Sequence, residues 1–146
     1  MRKEFTIDHI ETIADDVLAL CVPKHDHATV LALTGDLGAG KTTLTQALGK
    51  KLGVSETMIS PTFVIMKNYV LGESGEVRGY RKLVHIDAYR LDSPQEMMTL
   101  GFETLLADPG NLIIVEWPER IAGILPSDRI AITLEHLEEN KRAIDF

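Results

Sequence analysis

Cysteine is almost missing from this chain: Cys21 is the only one in 146 residues, so no internal disulfide can form. Aromatic residues are also scarce, at 5%, but 45% hydrophobic against 25% charged residues is the balance of a soluble globular enzyme and not of a disordered tail. No apolar run approaches the roughly 20 residues that a membrane-spanning helix needs. The opening MRKEFTIDHIETIADD places acids where a signal peptide would need an apolar stretch, so a cytoplasmic protein is expected. Positive charge is in deficit as well. With 15 Lys and Arg against 22 Asp and Glu the formal net charge is -7, which argues against the broad basic footprint of stand-alone tRNA or DNA binding. Work on nucleic acid is therefore expected to go through a partner. The length suits one compact core, and residues 1–146 read as a single domain with no repeat, low-complexity tract or linker.

What is present is an alternation of apolar runs and helical periodicities. Glu4 to Ile7 suits a short strand. Asp8 and Glu11 have capping-box spacing ahead of a helix whose buried face is Ile10, Ile13, Ala14, Val17 and Cys21. TVLAL, from Thr29 to Leu33, suits a central strand covered on both faces. A helix is expected over Lys41 to Lys51, with Leu44, Ala47, Leu48 and Leu52 inward and Gly53 as its stop. TFVIMKNYVL and YRKLVHID look like paired strands joined by the polar, Gly-rich link GESGEVRG. Ser93, Pro94 and Glu96 form a helix start, with a break near Gly101 and a continuation from Phe102 to Ala107. NLIIVEW is a further buried strand, and RIAITLE and KRAIDF suit edge strands at the end.

The strand ending at Leu33 runs into Gly35-Asp36-Leu37-Gly38-Ala39-Gly40-Lys41-Thr42, which matches G-x-x-x-x-G-K-[ST] at every fixed position, and Thr43 follows. Glycines let consecutive backbone N–H groups face phosphate oxygens, and the next helix offers its positive end to the same anion. Lys41 is expected to reach the β- and γ-phosphates and the Thr42 hydroxyl to bind Mg²⁺. This context predicts a three-layer α/β P-loop NTPase domain with a mainly parallel central sheet and antiparallel edge strands.

A magnesium site of this kind needs a carboxylate at the end of a neighbouring strand. LVHID delivers Asp87 and LIIVE delivers Glu116. Either suits the metal, and the other suits the attacking water. Thr62, in Ser60-Pro61-Thr62-Phe63, lies where P-loop proteins carry a loop that senses the γ-phosphate. Tyr89 and Trp117 place an aromatic beside each acid, for packing, nucleotide stacking or a partner surface. His25-Asp26-His27 lacks a third ligand at a metal-binding spacing and suits a solvated loop, and Glu135, Glu138 and Glu139 suit an exposed face. Asn140-Lys141-Arg142-Ala143 lacks the acid of a guanine-reading Asn-Lys-x-Asp, so ATP is expected in preference to GTP.

GDLGAGKTT, SPTF, HIDAYRL and VEWPER, in this order and spacing, closely resemble the bacterial TsaE (YjeE) family. The likeness runs from the N-terminal helix to the last strands, though Val70 to Tyr80 and the C-terminal strands carry little family signature. The resemblance implies an ATPase, with ADP as product, required for the N6-threonylcarbamoyladenosine modification of tRNA. It implies TsaD and TsaB as partners, hydrolysis that resets their complex between turnovers, and tRNA reached only through that complex. Matched motif by motif, it implies Lys41 and Thr42 at phosphate and magnesium, Thr62 in a switch-like loop, Asp87 and Glu116 at the metal and in hydrolysis, and Trp117 beside the site.

Rival expectations share the same P-loop. A small-molecule kinase would need an acceptor pocket and a lid, for which Arg78, Arg81 and Lys82 are the candidates. A nucleotide-dependent switch would use every residue named above without turnover.

Overall fold

The computed structural model describes residues 1–146. β1 (Arg2–Thr6) is followed by a short 3-10 turn and α1 (Ile10–Leu20), then β2 (Thr29–Thr34), α2 (Lys41–Lys51) and β3 (Met66–Val70). α3 (Glu73–Val77), β4 (Lys82–Asp87), α4 (Pro94–Thr99), α5 (Phe102–Leu106), β5 (Asn111–Glu116), β6 (Ile130–Glu138) and β7 (Lys141–Asp145) complete the chain. The strands form one seven-stranded sheet in the order β1-β7-β6-β2-β5-β4-β3. β6, β2, β5 and β4 run parallel, while β7 is antiparallel to β6 and to β1, and β3 is antiparallel to β4.

Period-two alternation divides the core between the sheet's faces. Leu31, Leu33, Leu112 and Ile114 pack with Ile13, Ala14 and Val17 of α1 and Leu44 and Leu48 of α2. Val30, Val84, Ile113 and Val115 pack on the other side with Met97 of α4 and Phe102 of α5. Covered twice, β5 buries every residue and β2 all but Thr34, which is why both read as continuous apolar runs. No helix is long and apolar enough to cross a membrane.

α2 ends as its sequence predicts. Gly53 takes φ 85°, its N–H donates to Lys50 and that of Val54 to Gly49, the paired bonds of a Schellman stop. Gly101, at φ 84°, likewise separates α4 from α5.

Several expectations are corrected. RIAITLE is not an edge strand: β6 lies inside the sheet beside β2, and β7 lies between β6 and β1, so the edges are β1 and β3. TFVIMKNYVL is only half strand, because the Pro61 carbonyl accepts from Val64 and Ile65 and winds Thr62 to Val64 into a turn. Ile65 then takes φ 70°, rare for a β-branched residue, before β3 begins. The GESGEVRG link holds α3 instead of a simple hairpin turn. β1 starts at Arg2. The Asp8 to Glu11 capping box is not made: the first turn is 3-10, and α1 starts after His9 with no side-chain cap. Ser93 stands at the N-cap of α4 with Pro94 behind it, but its hydroxyl makes no cap bond.

Candidate functional site

Because β2, β4 and β5 are parallel, their C-terminal ends gather at one edge of the sheet, the usual place for a ligand crevice in α/β folds. The turn from Gly35 to Gly40 crosses that edge. A Cβ on Gly35 would stand 2.5 Å from the Leu134 carbonyl oxygen of β6, so only glycine lets the chain pass. Gly40, at φ 105°, turns the backbone into α2, which begins at Lys41.

Lys41 is buried, and its Nζ donates to the carbonyls of Gly35 and, at 3.0 Å, Asp36. The same nitrogen lies 4.3 Å from the centroid of the Trp117 ring. Burial pulls the ammonium pKa below its ordinary value, against the opposing pull of Glu116 and Asp87.

Asp87 and Glu116 end β4 and β5 and are direct partners in the strand register. They therefore stand side by side, each with its own hydroxyl donor. Thr42 Oγ1 donates to Glu116 Oε1 at 3.0 Å and Oε2 at 3.1 Å. Thr62 Oγ1 donates to Asp87 Oδ2 at 2.9 Å, and Asp87 Oδ1 accepts from the Tyr89 N–H at 3.0 Å. The donor set is carboxylate and hydroxyl oxygen, the hard ligands that suit Mg²⁺. No group of three or more His, Cys, Asp or Glu side chains is placed for a softer metal.

Trp117 takes φ 60° directly after Glu116, and its ring lies tilted against Tyr89 at 5.1 Å between centroids. Two non-glycine residues have positive φ, Trp117 and Ile65, and both flank this edge, where backbone strain is commonly concentrated.

A cleft of about 290 Å³ opens here, lined by Leu37, Gly38, Gly40, Lys41, Thr42, Thr43, Thr62, Asp87, Glu116 and Trp117 among others. The structure thus brings the expected residues together, with Gly35, Asp36 and Ala39 shaping the turn beneath. Arg81 and Lys82 do not form a lid: Arg81 is paired to Asp108 at 2.8 Å, and Lys82 opens β4 at the end opposite Asp87. HDH is the solvated loop expected, with His25 and Asp26 exposed, and His27 ties it through Asp26 and, at 2.8 Å, Asp128 to the loop before β6.

The sequence reading missed several participants. His85 is buried and pairs through Nε2 with Glu116 Oε2. The signal was present, since a lone polar residue inside the apolar LVHID must find a partner. Ser60 Oγ lies 2.8 Å from Thr62 Oγ1. Ile7 and Arg142 also line the cleft. They come from opposite ends of the chain, and nothing local marks them.

A family model described as "Threonylcarbamoyl adenosine biosynthesis protein TsaE" matches residues 6–144. Among curated relatives, the chain is 41% identical to a tRNA threonylcarbamoyladenosine biosynthesis protein TsaE of Rickettsia felis, over 77% of this chain and 61% of that protein. It is 40% identical to the protein of the same name from Nostoc sp., over 81% of this chain and 69% of that protein. The match therefore spans less than two thirds of the Rickettsia felis protein's length. The crystal structure of YdiB from Bacillus subtilis is similar at a TM-score of 0.72 and 30% identity, covering 99% of this chain and 82% of that one. With a family model matched over nearly the whole chain, and relatives at about 40% identity carrying the same name, this chain belongs to the TsaE family.

Proposed function

We propose that the protein binds ATP with Mg²⁺ in the cleft at the ends of β2, β4 and β5 and hydrolyses it to ADP and phosphate in the service of tRNA threonylcarbamoyladenosine biosynthesis. The observation that carries this is the pairing of Thr42 with Glu116 and of Thr62 with Asp87, on strand ends in direct register beside a complete P-loop. Backbone N–H groups of Gly38 to Thr42 and the Lys41 ammonium hold the β- and γ-phosphates. Thr42 and Glu116 would hold the magnesium, directly or through its waters, and the ion would supply charge neutralisation to the phosphates. Asp87 and Thr62 orient a water against the γ-phosphorus. As its oxygen bonds to phosphorus, the water gives its proton to the Asp87 carboxylate, the bond to the β–γ bridging oxygen breaks with its electron pair going to that oxygen, and ADP leaves. Lys41, held close by desolvating walls, stabilises the charge that builds on that leaving group.

The chain's acidity fits a protein that acts on tRNA through partners, and TsaD and TsaB are the partners proposed. Soluble, cytoplasmic operation is part of the same proposal. The test is inorganic phosphate release from ATP by the protein alone and with cognate TsaD and TsaB, with Lys41→Ala as blank. Release that rises with the partners and vanishes in the variant supports a partner-coupled ATPase. ATP binding with no partner-dependent release leaves a binding switch and overturns the hydrolytic role.

A further inference from the structure

The segment that carries Thr62 leaves the core at the end of α2 and returns to it at the carboxylates. Val54 is fixed to the helix, its N–H donating to the Gly49 carbonyl at 2.9 Å. From there the chain stands off α2, across an open depression of about 350 Å³ lined by Gln46, Lys50, Val54, Glu56, Thr57 and Met58. Ser55, Glu56 and Thr57 are exposed before Met58, and Ile59 and Ser60 after it; Met58 itself is buried.

α2 holds Met58 twice. The Met58 carbonyl accepts from Gln46 Nε2 at 2.9 Å. Its side chain lies over Gly49, where an added Cβ would run into the sulfur and stand 3.4 Å from Leu83 of β4. Glycine is unfavourable inside a helix, and this close approach accounts for one at a buried position of α2. A thioether adapts well to such a gap. Gln46 and Gly49 have i, i+3 spacing, so both attachments lie on one face of the helix.

The same helix begins with Lys41 and Thr42 at the P-loop. Only Ile59, Ser60 and Pro61 separate Met58 from Thr62, and the Pro61 carbonyl, accepting from Val64 and Ile65, fixes the turn that follows. One rigid element therefore carries Thr42 at its start and, through Met58, the stem of the Thr62 segment further along.

We infer that Gln46 and Met58 are positioning residues for hydrolysis: anchored to each other on α2, they fix where the Thr62 hydroxyl meets Asp87 relative to the phosphates. This rests on the roles of Thr62 and Asp87 proposed above and adds what sets their geometry. Neither anchor residue lines the cleft, so the anchor governs turnover and leaves nucleotide affinity alone.

The test compares the wild type with Gln46→Leu, which keeps the bulk and removes the donor, with Gln46→Lys, which restores a donor, and with Met58→Ala. Phosphate release with TsaD and TsaB present gives kcat and KM, calorimetry gives the dissociation constant for ATP with Mg²⁺, and the melting temperature of each variant is recorded. Gln46→Leu is expected to lower kcat about tenfold, with the dissociation constant within about twofold and the melting temperature close to that of the wild type. Gln46→Lys should recover part of the loss, and Met58→Ala should lower kcat at least as far. In a Thr62→Ala background Gln46→Leu should cost nothing further, because the group it positions is gone. Amides of residues 59–64 should exchange with deuterium faster in Gln46→Leu while those of α2 hold. An additive loss in the Thr62→Ala background would make the anchor act elsewhere and overturn the inference. Unchanged kcat in Gln46→Leu would overturn it too, as would a fall in ATP affinity matching the fall in kcat, which would mean that α2 itself is disturbed. Gln46 is exposed, so Gln46→Leu keeps the test decisive if Met58→Ala melts early. A wild type that binds ATP and releases no phosphate would remove the hydrolytic reading itself, a result distinct from all of these.

Discussion

Thr42 Oγ1 stands within hydrogen-bond reach of both carboxylate oxygens of Glu116, at 3.0 and 3.1 Å, joining the first turn of α2 to the last residue of β5. The neighbouring acid, Asp87, has no such link to the P-loop; its hydroxyl partner is Thr62.

This difference predicts a division of labour. Glu116→Gln should raise the magnesium concentration needed for half-maximal phosphate release about tenfold or more, while Asp87→Asn should lower kcat about a hundredfold with the magnesium requirement nearly unchanged. Magnesium titrations of phosphate release on both variants decide it. The opposite pattern would exchange the two roles.

His85 should matter to turnover although it lies beneath the cleft surface. Accepting as a carboxylate, Glu116 requires a proton on His85 Nε2. His85→Ala removes that donor and leaves a void, so the Glu116 side chain loses its orientation. We expect the magnesium concentration for half-maximal phosphate release to rise roughly tenfold, as in Glu116→Gln, with partial recovery in His85→Gln, whose amide can donate to the same oxygen. A loss confined to thermal stability would show that the histidine only fills space.

Gly35 is predicted to be the least replaceable glycine of the P-loop turn for stability. Its Cβ would collide with a backbone carbonyl of β6, which cannot swing aside like a side chain, whereas Gly38 and Gly40 face open space. Gly35→Ala should cost roughly 1–3 kcal/mol, mostly as strain between β2 and β6. Urea denaturation of the three Gly→Ala variants orders them; equal losses would place the constraint in φ alone.

His27 gives a pH dependence outside the cleft. Hydrogen bonds to Asp26 first and Asp128 next raise its pKa above the usual value of 6.5. A raised folded-state pKa means that the contribution to stability is complete below the unfolded value and fades as pH rises through the folded one. The melting temperature of wild type relative to His27→Ala should therefore be higher at about pH 6 than at pH 9. A difference that stays constant, or grows with pH, contradicts the clasp.

How much of this was written in the sequence depends on range. The P-loop was legible because its requirements are local: close-packed backbone, a positive helix end and a lysine at fixed spacing. β2 and β5 were legible because a strand covered on both faces must be apolar throughout, and β4 was legible as one of a pair of strands, so the positions of Asp87 and Glu116 followed. What separates those two acids was not legible, since it depends on which hydroxyl each one meets across distant elements. The place of β6 was hidden for a similar reason. Its alternating pattern, with Ile132 and Leu134 inward, suits an edge as well as an interior position, and only pairing with β2 decides. Arg142 lies beyond any local rule, because β7 must return beside β1 before it can face the cleft.

The segment that carries Thr62 has its own consequence. Ile59, Phe63 and Val64 project outward, at 66%, 84% and 66% exposure, so beyond Pro61 few side chains anchor this wall to the core. Its attachment is then mainly polar: the turn bonds to the Pro61 carbonyl, the Asp87 N–H donating to the Ile65 carbonyl, and the Thr62 hydroxyl on Asp87. Such a segment opens at low free-energy cost without disturbing the sheet, and its backbone amides should exchange with deuterium far sooner than those of β4 and β5. Thr62 thus sits on the part of the molecule most easily ordered from outside, so under the proposed mechanism a surface that covers Phe63 and Val64 would set the rate at the carboxylates without touching them.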